Sequence, residues 1–212
     1  MIFKLKVCGM REINNIQDLV NLNPDYIGFI FYPKSKRFVG ENIDAKIIAS
    51  IPKTIAKVGV FVNETIENVA KTINLSELSL VQIHGDESAE YCKELKSKIN
   101  VPITKAFQVD VNFDFSILEE YKPYCDYFLF DTKTENYGGS GMRFDWNILQ
   151  KYDNEKPLFL SGGIDLEHIQ DIVNLKNLNI HALDINSKFE IEPGLKDIGK
   201  IKIFKNGIQS KR

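Results

Sequence analysis

Short apolar and β-branched runs recur along the chain at a nearly constant interval. They begin near residues 3, 26, 55, 80, 103, 127, 157 and 181, and they read FKLKV, YIGFIF, IAKVGVF, LVQIH, ITKAF, YFLFD, PLFLS and HALDI. The interval of roughly 22 to 30 residues is what one strand, one helix and two short loops require. The pattern predicts eight repeats of a strand followed by a helix, in one domain spanning residues 1–212.

Helical periodicity fills several of the intervals between these runs. Apolar residues recur every three to four positions in NNIQDLVNL, ETIENVAKTI, DESAEYCKEL and DLEHIQDIVNL, which is the spacing of an amphipathic helix. Alternating strands and helices form a parallel sheet with right-handed crossovers. Eight such units predict an α/β fold of the closed (β/α)8 type, the TIM barrel.

The competing arrangement is an open, doubly wound sheet, whose central strands are apolar throughout because helices cover both faces. Several strands here instead carry polar residues at alternate positions: Lys4 and Lys6, Gln82 and His84, Asp184 and Asn186. A barrel interior accepts polar groups near the rim where a ligand binds, so the alternation favours the barrel. A histidine on such a face is most often a satisfied core residue, but Gln82 beside His84 favours a polar pocket.

Composition narrows the class of protein. The chain is 43% hydrophobic and 26% charged, with a net charge of −2 and no basic block, so nucleic acid is not an expected partner. No apolar run approaches the roughly 18 residues of a membrane span, and the start lacks a signal-peptide core. The three cysteines, Cys8, Cys92 and Cys125, form no CxxC and cannot all pair. A reducing cytoplasm is therefore expected, with neither a disulfide framework nor a zinc site.

The carboxyl ends of the strands hold the candidate chemistry, because barrel enzymes keep their active sites at that rim. KLKVCGM would point Lys4, Lys6 and Cys8 inward, with Cys8 at the rim and Gly9 permitting the turn. A lone cysteine is usually a small buried hydrophobe. A nearby cation, however, favours the reactive thiolate, so the residues alone leave both interpretations of Cys8 open.

Asp131 ends the sixth apolar run, in FLFDTKTENYGGSG. A carboxyl group at a dry rim suits a general acid, whereas an aspartate at the start of a loop also caps nearby amides. The glycines that follow permit either an active-site loop or an ordinary turn, and they are Gly138, Gly139 and Gly141.

Two loops carry candidate anion contacts. Gly162 and Gly163 precede a helical pattern, and Asn186 and Ser187 follow the eighth run; the loops after strands seven and eight form the usual phosphate site of this fold. Arg37, in YPKSKRFV, has the planar fork that binds a carboxylate. Such a basic loop is most often only a solvated surface, so this assignment rests on the pattern as a whole.

Taken together, these stretches resemble phosphoribosylanthranilate isomerase of tryptophan biosynthesis. The matching stretches lie in family order from residue 6 to residue 197 and are KVCGM, GFIFYPKSKRFV, VGVFVNE, VQIHGDE, FDTKTENYGGSG followed by FDW, LSGGI, and EIEPGLKD. Each stretch is weak evidence alone, but the ordered set is specific and covers nearly the whole chain. The resemblance implies a cofactor-free and metal-free (β/α)8 barrel that performs an Amadori rearrangement of a small phosphorylated substrate.

The resemblance also implies a role for each motif residue. Cys8 corresponds to the general base, Asp131 to the general acid and Arg37 to the group facing the anthranilate carboxylate. The residues expected to hold the phosphate are Gly162, Gly163, Asn186 and Ser187. The polar face of the pocket adds three further expected substrate-binding residues, Gln82, His84 and Asp184. The sequence is compatible with a monomer and with a homodimer.

The chain departs from the family pattern at one position, and two alternative functions stay open. The family commonly has Ser-Gly in the strand-eight turn, where this chain has Ser187 and Lys188. Losing the glycine restricts the approach of the backbone to phosphate, and Lys188 either offsets this with charge or points to solvent. The alternatives are another phosphosugar isomerase or epimerase on the same barrel, and a phosphate-ligand binding protein without turnover.

The barrel topology makes one further contact predictable. Closure places strand eight beside strand one, so Lys6 and Asp184 both point inward near the rim. A lysine inside a barrel is costly unless it is paired, and we predict an ion pair between these two residues, with Asp131 as the rival acid. We also predict that Lys6 lies close enough to Cys8 to favour its thiolate.

Overall fold

The structure is a computed structural model that describes residues 3–40, 44–132 and 145–210. Eight parallel strands follow one another around a closed barrel in chain order. They are β1 (Lys4–Cys8), β2 (Tyr26–Ile30), β3 (Ala56–Phe61), β4 (Leu80–Ile83), β5 (Ile103–Val109), β6 (Tyr127–Thr132), β7 (Leu158–Leu160) and β8 (Ile180–Ile185). The predicted TIM barrel is confirmed, and the open sheet is wrong because β8 pairs with β1.

The helices surround the strands. They are α1 (Ile13–Asn21), α2 (Ala45–Ala49), α3 (Ile66–Ser76), α4 (Ala89–Lys98), α5 (Ile169–Asn174) and α6 (Ile198–Ser210). Three of the four predicted helices are α1, α3 and α4, and the fourth consists of a 3-10 turn followed by α5. A 3-10 segment, Phe115–Glu120, replaces a full helix between β5 and β6, which shortens that unit.

Side-chain caps fix where the longer helices begin. The Thr65 side chain accepts a hydrogen bond from the amide of Asn68 at the start of α3, and Ser88 accepts one from Tyr91 at the start of α4. Each cap satisfies an amide that has no partner within its helix. The chain therefore turns from strand to helix at defined points, which holds the strand ends in place.

The barrel interior changes character along its axis. Its amino-terminal part, here called the lower layer, is apolar and consists of Val58, Leu80, Ala106, Leu129, Phe159 and Ala182, with Tyr26 and Tyr127 packed beneath. The hydroxyl of Tyr26 lies 2.6 Å from Nε2 of His181. Burial lowers the pKa of His181 to about 4, so this imidazole is neutral near pH 7.

A short antiparallel hairpin that the periodicity did not predict follows β8. Its strands are β9 (Glu190–Glu192) and β10 (Leu195–Lys196), and it lies against the start of α1, where Gly194 approaches Arg11. Among the described residues, no helix has both the length and the hydropathy needed to cross a membrane. A single domain over residues 1–212 stays a prediction, since the described ranges leave gaps.

Candidate active site

Lys6 occupies the centre of the barrel mouth and is fully buried. Its Nζ donates hydrogen bonds to Oδ2 of Asp184 at 2.7 Å and to Oε1 of Gln82 at 2.5 Å. The predicted ion pair is confirmed, and the register of β1 against β8 places the two residues directly opposite each other. Burial lowers the pKa of Lys6, but Asp184 and Cys8 together outweigh this effect, so the pKa of Lys6 is raised.

The polar row continues from Gln82 across the mouth. Nε2 of Gln82 lies 2.6 Å from Nδ1 of His84, and Nε2 of His84 lies 3.6 Å from Oδ2 of Asp131. Because an ammonium only donates, Gln82 turns its oxygen to Lys6 and its NH2 group to His84. Nδ1 of His84 is therefore an acceptor, and the ring proton lies on Nε2, toward Asp131. The predicted inward direction of Gln82 and His84 is confirmed.

Asp131 stands at the rim end of β6, with its side chain 13% exposed. Its Oδ1 accepts a hydrogen bond from the amide of Thr132 at 2.9 Å, while its Oδ2 faces His84 across the pocket. One oxygen thus acts as the capping group that an ordinary loop-start aspartate would supply. The other oxygen remains directed at the barrel mouth, as a general acid requires.

Cys8 ends β1 at the rim and is buried. Gly9 follows with φ +78°, and its amide donates to the carbonyl of Gly28 at 2.9 Å. A Cβ at Gly9 would lie 2.8 Å from Cδ of Arg37 and 2.9 Å from Oδ1 of Asn186. The predicted turn at Gly9 is confirmed, and it brings Arg37 and Asn186 directly over the residue beside the thiol.

The prediction that Lys6 lies close enough to Cys8 to favour its thiolate is confirmed, but Lys6 does not decide the net pKa of the thiol. Burial raises the pKa of Cys8, and the positive charges of Lys6, Lys196 and Arg37 act in the opposite direction without overcoming it. Lys6 therefore favours the thiolate as predicted, but removal of the sulfur from water has the larger effect. Cys8 is therefore held as a thiol near pH 7.

Arg37 is clamped by a residue that sequence reasoning did not single out. Its Nε lies 2.9 and 3.0 Å from the two carboxylate oxygens of Glu190, and its Nη2 lies 2.7 Å from Oε2. This bidentate pairing uses one edge of the guanidinium. The end formed by Nη1 and Nη2 is a second edge that can receive another carboxylate.

Glu190 also binds Lys196, whose side chain is fully buried. Nζ of Lys196 donates to Oε1 of Glu190 at 2.6 Å and to Oδ1 of Asn186 at 2.7 Å. Asn15 on α1 fixes the backbone of Lys196 through hydrogen bonds of 2.7 and 2.9 Å. We call Arg37, Asn186, Glu190 and Lys196 the hairpin cluster. Glu190 and Lys196 have one signal in the sequence, the stretch EIEPGLKD, which matched the family without suggesting a role.

The predicted phosphate loop after β7 has the backbone that glycine allows. Gly162 and Gly163 have φ values of +85° and +64°, and a Cβ on Gly162 would lie 2.8 Å from the amide nitrogen of Thr132. The helical segment that follows is already capped, because Asp165 accepts from the Leu166 amide at 2.7 Å. An anion here would therefore meet the glycine amides rather than the helix start.

The strand-eight turn divides its residues between two tasks. The side-chain oxygen of Asn186 contacts Lys196, so its phosphate role stays a prediction, as does that of Ser187, which begins the 3-10 turn Ser187–Phe189. Lys188 is exposed, and its carbonyl accepts from Nζ of Lys200 at 2.7 Å. Of the two predicted outcomes for Lys188, the structure has its side chain at the surface.

Two further sequence expectations concern a glycine-rich loop and metal ligands. The glycines of the candidate active-site loop, Gly138, Gly139 and Gly141, lie outside the described residues. Within residues 3–40, 44–132 and 145–210, no group of three His, Cys, Asp or Glu side chains is arranged to hold a metal ion.

Comparison with known proteins agrees with this geometry. The profile described as N-(5'phosphoribosyl)anthranilate (PRA) isomerase matches residues 5–206. N-(5'-phosphoribosyl)anthranilate isomerase of Parabacteroides distasonis is 47% identical over 202 residues, which are 94% of this chain and 90% of that protein. The phosphoribosyl anthranilate isomerase structure from Thermotoga maritima superposes with a TM-score of 0.84 at 32% identity, covering 99% of this chain and 100% of the other.

A second solved structure carries a ligand. It is phosphoribosyl anthranilate isomerase in complex with reduced 1-(o-carboxyphenylamino)-1-deoxyribulose 5-phosphate, with a TM-score of 0.81, 29% identity, and coverage of 99% of this chain and 100% of that one. The profile match spans nearly the whole chain, and the relative from Parabacteroides distasonis is similar over nearly its whole length as well. The chain therefore belongs to the N-(5'-phosphoribosyl)anthranilate isomerase family.

Proposed function

We propose that the chain converts N-(5'-phosphoribosyl)anthranilate to 1-(2-carboxyphenylamino)-1-deoxyribulose 5-phosphate in tryptophan biosynthesis. The observation that carries the proposal is the polar row across the barrel mouth, which ends in Asp131 on β6 and begins at Lys6, beside Cys8 on β1. An acid and a base on different sides of one pocket are what an Amadori rearrangement requires. A cytoplasmic location is part of the same proposal.

The chemistry needs two proton transfers. Asp131 donates a proton to the furanose ring oxygen, the ring C–O bond breaks, and the nitrogen lone pair forms a Schiff base. Cys8, as the thiolate, then removes the C2 proton, and the electron pair moves toward nitrogen to give an enolamine. Tautomerisation of the enolamine yields the ketone. After these steps Cys8 is a thiol and Asp131 is a carboxylate. Proton exchange returns them to the thiolate and the carboxylic acid, so neither residue is consumed.

Burial of Cys8 fits this sequence of events. A thiol whose pKa is raised by burial is a strong base once it ionises. Lys6, Lys196 and Arg37 provide positive charge on the same side of the mouth and favour that ionised form. We therefore expect the reaction rate to rise with pH as the small thiolate fraction increases, beyond the ordinary titration range of a cysteine.

The remaining groups position the substrate. Gly162, Gly163 and Ser187 hold the phosphate, and Arg37 holds the anthranilate carboxylate with the edge formed by Nη1 and Nη2. Oδ1 of Asp184 is buried and accepts no hydrogen bond from any group in the described part of the chain, which makes it a candidate acceptor for a sugar hydroxyl. Binding at these remote points holds the reacting carbons between Cys8 and Asp131, and so contributes to the rate.

A fluorescence assay with freshly prepared phosphoribosylanthranilate tests the proposal. We expect the anthranilate fluorescence of the substrate to decay faster with enzyme than in buffer, and the carboxyphenylamino product to accumulate. Binding without turnover would favour the phosphate-ligand binding protein. No turnover of this substrate, together with turnover of another pentose phosphate, would favour a different isomerase or epimerase.

A further inference from the structure

The hairpin cluster contains an arrangement that a simple carboxylate clamp does not need. Glu190 takes one edge of Arg37 and, by itself, would neutralise that guanidinium. Its carboxylate side chain is only 4% exposed, so water screens the pairing weakly. An arginine neutralised in this way would be a poor attractor for a second carboxylate. The cluster nevertheless carries a second buried cation, Lys196, on the same carboxylate.

The charges of the cluster do not cancel. Arg37 and Lys196 contribute two positive charges against the single negative charge of Glu190, and Asn15 and Asn186, which also contact Lys196, are neutral. A buried net charge is unfavourable unless an opposite charge arrives. The carboxylate of the aromatic ring in the proposed substrate would supply that charge.

We infer that Lys196 is a specificity-determining residue for the aromatic carboxylate, because its buried ammonium offsets Glu190 and leaves Arg37 with net positive charge for the substrate. The inference rests on the proposed function and concerns the carboxylate end of the same site. Glu190 orients the guanidinium, Lys196 restores the charge that Glu190 removes, and Arg37 makes the contact.

The surroundings of Lys196 make this charge sensitive to pH. The charged or titratable groups that face it are Glu190 from β9, Arg37 from the loop after β2 and Cys8 from β1. Burial lowers the pKa of Lys196 to about 8, although Glu190 opposes the change. The cluster therefore has its net positive charge below about pH 8 and loses it above, unless a bound carboxylate keeps Lys196 protonated.

Two stable probes separate the carboxylate from the rest of the ligand. One is reduced 1-(o-carboxyphenylamino)-1-deoxyribulose 5-phosphate, and the other is the same compound without the ring carboxylate. Calorimetry gives the dissociation constant of each for the full-length chain, and the ratio of the two constants is the carboxylate preference. Phosphate ionisation is common to both probes and cancels in that ratio.

The variants test charge against packing. Lys196→Met removes the charge and keeps a buried chain of similar length, and we expect it to reduce the carboxylate preference about tenfold. Glu190→Gln combined with Lys196→Met leaves Arg37 as the sole charge of the cluster, and we expect it to restore most of the preference.

In the unmodified protein, the carboxylate preference should fall as pH rises from 7 to 9, and this measurement needs no variant to fold.

The outcomes distinguish the inference from the proposed function. An unchanged preference in Lys196→Met, a double variant no better than the single one, or a pH-independent preference would overturn the inference alone. Equal binding of both probes by the unmodified protein would also overturn it, while leaving the isomerase proposal in place. Binding of neither probe would overturn both.

Discussion

The two ends of the barrel interior are built from different kinds of side chain, although the same eight strands form both. The lower layer is apolar, with Leu129 and Ala182 fully buried among other hydrocarbon groups. The rim instead buries Lys6 and Asp184, and the hairpin adds the buried Lys196. Both ends contain buried side chains, so burial alone does not distinguish them. The difference lies in the kind of side chain that is buried.

That difference indicates which end stabilises the fold. Burying apolar surface is favourable by roughly 25 cal/mol per Å², whereas a buried ion pair is often no better for stability than apolar residues of similar volume. The paired lysines at the rim are thus hard to explain by stability. We expect the lower layer to determine the free energy of unfolding and the rim to determine turnover, and each prediction below tests this division.

The largest effect is expected for Cys8→Ser. A hydroxyl is far less acidic than a thiol, so the base is lost, and we expect kcat to fall roughly 10²- to 10⁴-fold. The groups that bind the substrate remain, so the affinity for the reduced product analogue should stay within a few fold. Near-normal turnover in a steady-state fluorescence assay would remove Cys8 from the mechanism.

Asp131→Asn should follow closely. The amide cannot donate the proton from a comparable acid, and we expect a loss in kcat of about 10²-fold or more. The same amide can still interact with the Thr132 backbone, so the loop should keep its cap. If kcat is retained, the capping hydrogen bond to Thr132 is the whole role of Asp131.

Lys6→Met should affect both the free energy of unfolding and turnover. It is therefore the variant that most directly probes the boundary between the two ends. It leaves Asp184 buried without its cation, and we expect the unfolding free energy to fall by about 3 kcal/mol. It also removes a charge that favours the Cys8 thiolate, so the pH at which iodoacetamide alkylates Cys8 should rise.

Lys57→Met is the matched control for Lys6→Met. Lys57 is also a buried lysine, but its acidic partner, Glu77, is largely exposed at 3.9 Å, and the pair lies away from the barrel mouth. We expect kcat and the alkylation profile of Cys8 to be unchanged in this variant. An alkylation profile that is unchanged in Lys6→Met as well would show that Lys6 does not tune the thiol.

Arg37→Ala should have the smallest effect on turnover among the rim variants. It removes a binding group rather than a proton carrier. We therefore expect KM to rise about tenfold and kcat to fall by less than that. A substrate without the ring carboxylate should be handled equally well by the unmodified protein and the variant. A comparable loss on that truncated substrate would assign Arg37 to another task.

Much of this organisation could be predicted from the sequence, because it follows from local periodicity. The eight strand runs predicted the barrel. The alternation of side chains along each strand predicted that Lys6, Cys8, Gln82 and His84 point inward. The contact between Lys6 and Asp184 spans 178 positions, yet barrel closure made it predictable, since strand eight must lie beside strand one.

The parts that could not be predicted depend on tertiary placement and burial depth. Glu190 and Lys196 reach the site only because an irregular hairpin folds against the start of α1. There Asn15, which is 181 positions away from Lys196 in the chain, fixes the Lys196 backbone. No periodicity encodes that path. The raised pKa of Cys8 could not be predicted for a related reason, because sequence spacing identifies neighbouring charges such as Lys6 but not the extent of desolvation.

The most direct test measures kcat per folded molecule and the free energy of unfolding together, for Cys8→Ser and for Leu129→Ala. Leu129 is fully buried in the lower layer, and truncation there should cost about 2–5 kcal/mol of stability while the folded molecules keep their kcat. Cys8→Ser should show the reverse, with unfolding free energy changed by about 1 kcal/mol and kcat reduced by orders of magnitude. Folded Leu129→Ala enzyme with a kcat as low as that of Cys8→Ser would contradict the division between the two ends.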